Sequence, residues 1–223
     1  MGVRGVCRMA AKDDGVNSGD DPNAGAHCPG TATPVRFAAM HLHIRPALPA
    51  DAAAIARIHV AAWQAAYTGI IDAGYLAALS VGQRETYWSQ AIAQGTPEVL
   101  VAQGADTGIG GAVTGWIALG DCRDRGAPAT RGEVWAVYVD PAHWSRGVGH
   151  ALWQHAQKRL LAHGKTEASL WVLAANEHAI RFYTRQGFAP EPAGEKTITL
   201  AGAALRELRY TTPLGPSGPD GCA

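Results

Sequence analysis

The sequence predicts a mixed α/β sandwich, a mostly antiparallel sheet flanked by helices. Three observations carry this. First, strand and helix periodicities follow one another in the order strand, helices, three strands, helix, strand, helix, strands, which is not a strict βαβ alternation. Second, Glu133–Val139 (EVWAVYV) and Ala168–Leu173 (ASLWVL) are nearly continuous apolar runs, as strands buried on both faces are. Third, the large apolar side chains concentrate between Met40 and Leu214, which bounds one folded domain.

Composition narrows the function classes. The 223 residues are 47% hydrophobic and 17% charged, with 19 basic against 19 acidic side chains. A chain of this length buries roughly 70% of the surface its unfolded form exposes, enough for a core without staples. Balanced charge argues against a nucleic-acid partner. The absence of any run of about 18 apolar residues argues against a membrane span. The opening MGVRGVCRMAAKDDG lacks the apolar core of a signal peptide, and Val6 stands where a myristoylation signal has Ser or Thr. Cys7, Cys28, Cys122 and Cys222 are scattered with no CxxC pair, the pattern of free thiols in a reducing cytoplasm and not of a metal site. Residues 1–39 are rich in Gly, Asp, Asn and Pro and poor in large apolar groups, so a disordered extension is expected there. Met40 is a second candidate start. The domain is expected over 40–214, followed by a flexible tail over 215–223.

Within the domain, His41–Ala47 alternates as a short strand that Pro46 and Pro49 end. Asp51 is a candidate N-cap for a helix to about Tyr67, with Ile55, Ile58, Ala62 and Ala65 on one face. Helices follow over Ala73–Leu79 and Gln83–Gln94, then strands over Val99–Gln103 and Gly111–Leu119 around a turn at Asp106–Gly110. Asp121–Thr130 is a polar loop. Glu133–Val139 is the central strand, and Asp140-Pro141 ends it. The next helix spans about Gly147–His163, with Val148, Leu152, Ala156 and Leu160 as its stripe and Gly164 as C-cap. Ala168–Leu173 is the next strand. Asn176 caps a helix to about Gln186, which Gly187 stops. A closing hairpin turns near Ala201-Gly202.

The chemistry concentrates in Val137–Leu152. A buried strand ends at Pro141, and Gly147-Val148-Gly149 then opens a helix. Exposed N–H groups and the positive dipole end at a helix start favour a phosphate, and glycines admit close backbone approach. No Gly-Lys-Ser/Thr follows, so this is not a Walker loop. Leu152 stands where a dinucleotide fingerprint has its last Gly.

Trp144-Ser145-Arg146-Gly147-Val148-Gly149 resembles the acyl-CoA loop of the GNAT superfamily of N-acetyltransferases, Gln/Arg-x-x-Gly-x-Gly/Ala. Trp144 departs from it, which touches one side-chain contact and leaves the backbone contacts. NEHAIRFYTRQGF resembles the family's next helix, matching at Asn176, Ala179, Phe182, Tyr183, Gly187 and Phe188. The matching order of elements spans roughly Leu42–Thr211.

The resemblance implies a GNAT-like fold whose central strands splay, and transfer of acetyl from acetyl-CoA to a primary amine by direct attack. The pantetheine arm is expected along the backbone of Val137, Tyr138 and Val139. The pyrophosphate is expected at Trp144, Ser145, Arg146, Gly147, Val148, Gly149 and His150, with Asn176 contacting the cofactor as well as capping. Tyr183 holds the family's proton-donor position. Glu133, fourteen residues before Gly147, is the first candidate for the base. Trp171 stands five residues before Asn176, where some ribosomal-protein-modifying relatives place a catalytic Glu, so no base is expected there. His59 and His143 have suitable ordinary pKa values but read more simply as core or surface residues.

Trp63 and Tyr67 are candidates to line the acceptor site, although a stripe packing helix on sheet explains them more simply. No acidic cluster marks a polyamine or aminoglycoside pocket. A non-catalytic acyl-CoA sensor and a nucleotide-phosphate binder compete with the enzyme. Intact Glu133, Asn176 and Tyr183 disfavour the sensor, and the Asn176–Phe188 match disfavours the nucleotide binder. The partners expected are acetyl-CoA and an amine, with no metal, nucleic acid or membrane; a homodimer is common in the family.

Overall fold

The structure is a computed structural model that describes residues 42–104 and 111–215. The expected N-terminal extension, the turn at Asp106–Gly110 and most of the expected tail lie outside the described residues. The elements are β1 (Leu42–Pro46), α1 (Ala52–Ala66), α2 (Ala73–Ala77), α3 (Val81–Gln94), β2 (Glu98–Gly104), β3 (Val113–Asp121), β4 (Arg131–Val139), α4 (Val148–Ala162), β5 (Glu167–Leu173), α5 (Glu177–Arg185), β6 (Ala189–Leu200) and β7 (Ala203–Pro213). They follow the order read from the sequence.

One boundary differs in its chemistry. Asp51 precedes α1 but makes no side-chain cap. Its carboxylate takes the Leu48 N–H at 2.7 Å and a bidentate guanidinium from Arg45 at 2.7 and 2.9 Å. Charge-assisted paired bonds outcompete a single cap bond, and the 3-10 turn Pro49–Asp51 aims the carboxylate at β1.

Seven strands form one sheet in the order β1-β2-β3-β4-β5-β7-β6. Every neighbouring pair is antiparallel except β4 and β5, which the α4 crossover makes parallel. Two cores flank the sheet. On one face α4 and α5 pack Val148, Leu152, Ala156, Leu160, Ala179 and Tyr183 against Leu119, Val134, Val137, Leu170 and Val172. On the other face α1 and α3 pack Ile55, Trp63, Tyr67 and Trp88 against Val101, Trp116, Ala136 and Tyr138. The stripe read on α4 is thus the buried one, and Gln154, Lys158 and Arg159 face water.

A bulge in β4 sets which side chain meets which core. Ala118 pairs with Ala136 and Leu119 with Val134, so Trp135 is the extra residue. Val134 and Val137 thereby share the α4 face, while Trp135, Ala136 and Tyr138 pack on the α1 side. Strand alternation then puts Glu133 on the α1 side too.

Candidate functional site at the β4–β5 seam

The two central strands pair over three residues only. Arg131 faces Glu167, Gly132 faces Ala168 and Glu133 faces Ser169, and there the ladder stops. On its other edge β4 stays paired with β3 as far as Val139. β5 pairs with β7 along its whole length. From Val134 to Val139, then, the β4 edge toward β5 carries no sheet partner, although Val137, Tyr138 and Val139 are almost fully buried. Buried backbone N–H and C=O groups require partners. This seam fits an extended molecule that carries amides.

The seam opens toward the start of α4. Asp140 accepts from the Ala142 N–H at 2.9 Å and shapes the 3-10 turn Pro141–His143. The Trp144 indole donates to the Val139 carbonyl at 2.8 Å, closing over the strand end. This contact gives the departure at Trp144 a structural use. Ser145 has φ 58° and Gly147, the residue before α4, has φ 81°. A Cβ at Gly147 would touch nothing within 4 Å, so the left-handed backbone is what calls for glycine there. No side chain caps this helix. Its first-turn N–H groups, with the positive dipole end of a 15-residue helix, face the loop that Ser145 and Arg146 expose. The His150 imidazole meets the Gln186 side chain at 2.7 Å, tying the first turn of α4 to the end of α5. Close approach at Gly115 keeps α4 against the sheet: a Cβ there would lie 2.9 Å from Val148 Cγ1 and 3.2 Å from Leu152 Cδ1.

The α5 residues flank the seam on the same face. Asn176 Oδ1 accepts from the Ala179 N–H at 3.1 Å, the cap that its sequence position predicts. Tyr183 is 2% exposed and lines a narrow apolar pocket with Ile117, Val134, Val137, Trp153, Phe182 and Phe188. The pocket reaches β4 at the residues whose outer edge is unpaired.

Glu133 stands at the last paired rung, 2% exposed. Arg123 holds it through its backbone N–H at 2.8 Å and through its guanidinium, which also lies 4.2 Å from the centre of the Trp135 ring. Its carboxylate oxygens therefore already accept from Arg123, and taking up a proton requires Arg123 to release one of them.

Trp63 and Tyr67 are buried at 4% and 0%. The Trp63 indole donates to the Tyr138 hydroxyl at 2.8 Å, and the Tyr67 ring meets Trp63 edge-on at 5.4 Å. Both are core members beneath the α1 side of the seam. His59 stacks on Tyr138 at 4.9 Å and accepts from the Trp88 indole at 3.2 Å, a packing position. His143 lies in the 3-10 turn 4.0 Å from Asp140.

Sequence reasoning missed an ion network on the α1 side of β5–β7, centred on Trp171. The Trp171 indole donates to both Asp124 carboxylate oxygens at 3.1 Å. Asp124 also accepts from Arg209 at 2.9 Å, and Arg209 reaches Glu191 at 2.5 Å. Burial pulls the Arg209 pKa down, but these two carboxylates outweigh it and raise the pKa above its usual value. Lys196 and Glu207 complete the group. The only available signal was the mixture of charged and β-branched residues in the closing hairpin, which reads equally well as a solvated strand.

Among the described residues no three His, Cys, Asp or Glu side chains converge as a metal site requires, and no helix is long and apolar enough to cross a membrane. Cys122 is a free thiol 3.6 Å from the Ser169 hydroxyl.

Known proteins share both the sequence and the fold. A model described as the acetyltransferase (GNAT) family matches residues 63–188. The chain is 32% identical over 170 residues to the uncharacterized N-acetyltransferase YuaI of Bacillus subtilis, covering 76% of this chain and 92% of that one. The yncA structure from Salmonella typhimurium, solved with its cofactor acetyl-CoA, superposes with TM-score 0.60 at 25% identity, covering 82% of this chain and 99% of that one. The paia N-acetyltransferase of Thermoplasma acidophilum, solved with coenzyme A, shares the fold with TM-score 0.59 at 20% identity, covering 78% and 99%. With its seam open beside an uncapped helix start, the chain belongs to the GNAT family and is an N-acetyltransferase.

Proposed function

We propose that acetyl-CoA lies along the open seam and that the chain transfers its acetyl group directly to a primary amine arriving from the α1 side. The unit that does this is residues 40–214. The β4 edge carries the reading: its ladder to β5 stops at Glu133, and an extended pantetheine arm fits alongside the buried stretch Val137–Val139 that follows. The pyrophosphate binds the N–H groups of Gly147, Val148, Gly149 and His150, and Ser145 and Arg146 add polar contacts. Trp144 positions the loop through Val139. The Asn176 amide contacts the pantetheine arm while its oxygen caps α5.

In the chemical step the amine nitrogen attacks the thioester carbon. A β4 N–H stabilises the oxyanion, and Tyr183 protonates the leaving thiolate. Its place in the pocket beside Val137 supports that role. Glu133 accepts the amine proton through water, with Arg123 swinging away. Trp63 and Tyr67 form the floor of the acceptor side. A cytoplasmic setting is supported by four cysteines with no pair spaced for a local bridge.

The test is thermal stabilisation by acetyl-CoA, with ATP as control, recorded with thiol release across a panel of primary amines. Stabilisation of roughly 3 kcal/mol at about 100-fold excess over Kd is expected, with release only when an amine is present. Equal stabilisation by ATP would remove the seam from the account.

A further inference from the structure

The α1-side face of β5–β7 carries an arrangement that the donor site does not use. Lys196 of β6 lays its ammonium 3.6 Å from the centre of the Trp171 ring and 3.5 Å from Glu207 Oε2. The register makes this one row across three strands: Lys196 faces Glu207, and Glu207 faces Leu173. On the same face of β5, Trp171 is the next residue beyond Ser169, the last to pair with β4. The ammonium therefore sits beside the point where the seam opens, on the α1 side of the sheet.

Two further facts single it out. Glu207 is 0% exposed, whereas the Lys196 side chain keeps 35% exposure, so the cation is anchored on a buried carboxylate and still reaches solvent. The other described lysines are placed otherwise. Lys165 is held by Asp121 at 2.5 Å and the Ala129 carbonyl at 2.7 Å. Lys158 is exposed on α4, across the sheet.

We propose that Lys196 is an acceptor built into the chain, acetylated in cis by acetyl-CoA bound in its own seam. The inference rests on the donor-site reading above. Glu207 takes one proton from the ammonium. The freed Nζ attacks the thioester carbon, the C–N bond forms and the C–S bond breaks. The second N–H proton ends on the departing sulfur, relayed by Tyr183. The products are acetylated Lys196, the CoA thiol and one proton left on Glu207 for solvent. Acetylation removes the charge from the Trp171 ring and from Glu207, so the modified chain presents a changed acceptor face.

The full chain is incubated with acetyl-CoA and no added amine, and acetyl groups are mapped by mass spectrometry over time. Thermal stabilisation is read on the same samples. The proposal expects a single acetyl group at Lys196, gained at least about tenfold faster than at Lys158 because the reactants are held together. The rate constant should not depend on protein concentration. Lys196→Arg should lose the label and keep the stabilisation. Stabilisation without label at Lys196, or Lys158 labelled first, overturns the proposal and leaves the donor site intact. A rate that rises with protein concentration overturns the cis route. Absence of stabilisation overturns the donor-site reading, and this proposal with it.

Discussion

On the α4–α5 face of the sheet, the site is made mostly of backbone: an unpaired strand edge, a left-handed Gly147 and the first turn of a helix that no side chain caps. On the α1–α3 face the arrangement is made of side chains brought from the β3–β4 loop, β5, β6 and β7, with Asp124, Trp171, Lys196, Glu207 and Arg209 linked in ion pairs and ring contacts. A backbone site depends on contiguous residues with restricted identities, so a short run of sequence specifies it. A side-chain site depends on register between distant strands, and many residue combinations satisfy it. The difference teaches why the proposed donor side is readable in the sequence and the opposite face is not.

The two faces separate most sharply in turnover. Tyr183→Phe should lower kcat by about 10²- to 10⁴-fold with acetyl-CoA affinity nearly unchanged, the range of a lost general acid; equal turnover would return Tyr183 to packing. Gly147→Glu should remove the roughly 3 kcal/mol of acetyl-CoA stabilisation, while the apo protein stays folded at a cost of about 1–2 kcal/mol for a side chain on left-handed backbone, since nothing crowds a Cβ there. Calorimetry with and without ligand checks both halves. On the other face, Glu133→Gln should lower kcat/KM by about 10²-fold or more with acetyl-CoA affinity retained. Unchanged kcat/KM would make Glu133 a positioning partner of Arg123 and not the base.

Two smaller effects test the scaffold beneath each face. Gly115→Ala should destabilise by about 1–3 kcal/mol through overpacking, since its Cβ would press on Val148 and Leu152. Asp51→Asn should cost about 1–2 kcal/mol at neutral pH, with a clear sign in acid. Burial pushes the Asp51 pKa up, but Arg45 and the Leu48 N–H outweigh it and hold it below the usual carboxylate value. Its contribution is complete above that usual value, near 4, and is lost as pH falls through the lower folded value. Wild type and variant should therefore converge in strong acid, as unfolding curves across pH would show.

The same contrast describes what the sequence made legible. The element order, the α4 stripe and the Asn176 cap follow from local periodicity and capping chemistry, and all three are present. Asp51 misled because its alternative partner, Arg45, lies in another element, and only the 3-10 turn between them reveals the pairing. The bulge at Trp135 was hidden because a continuous apolar run shows no alternation to interrupt. Arg206-Glu207-Leu208-Arg209 reads as a solvated strand, yet Glu207 is fully buried, a fact fixed by what β5 and β6 place beside it.

The central claim is that a ligand completes the β4 ladder where β5 leaves it open. Amide hydrogen exchange with and without acetyl-CoA tests it residue by residue. The account predicts new protection at Val137–Val139 and at Gly147–His150, with little change in β1 or β2. Protection confined to other segments, with those amides unchanged, would contradict it.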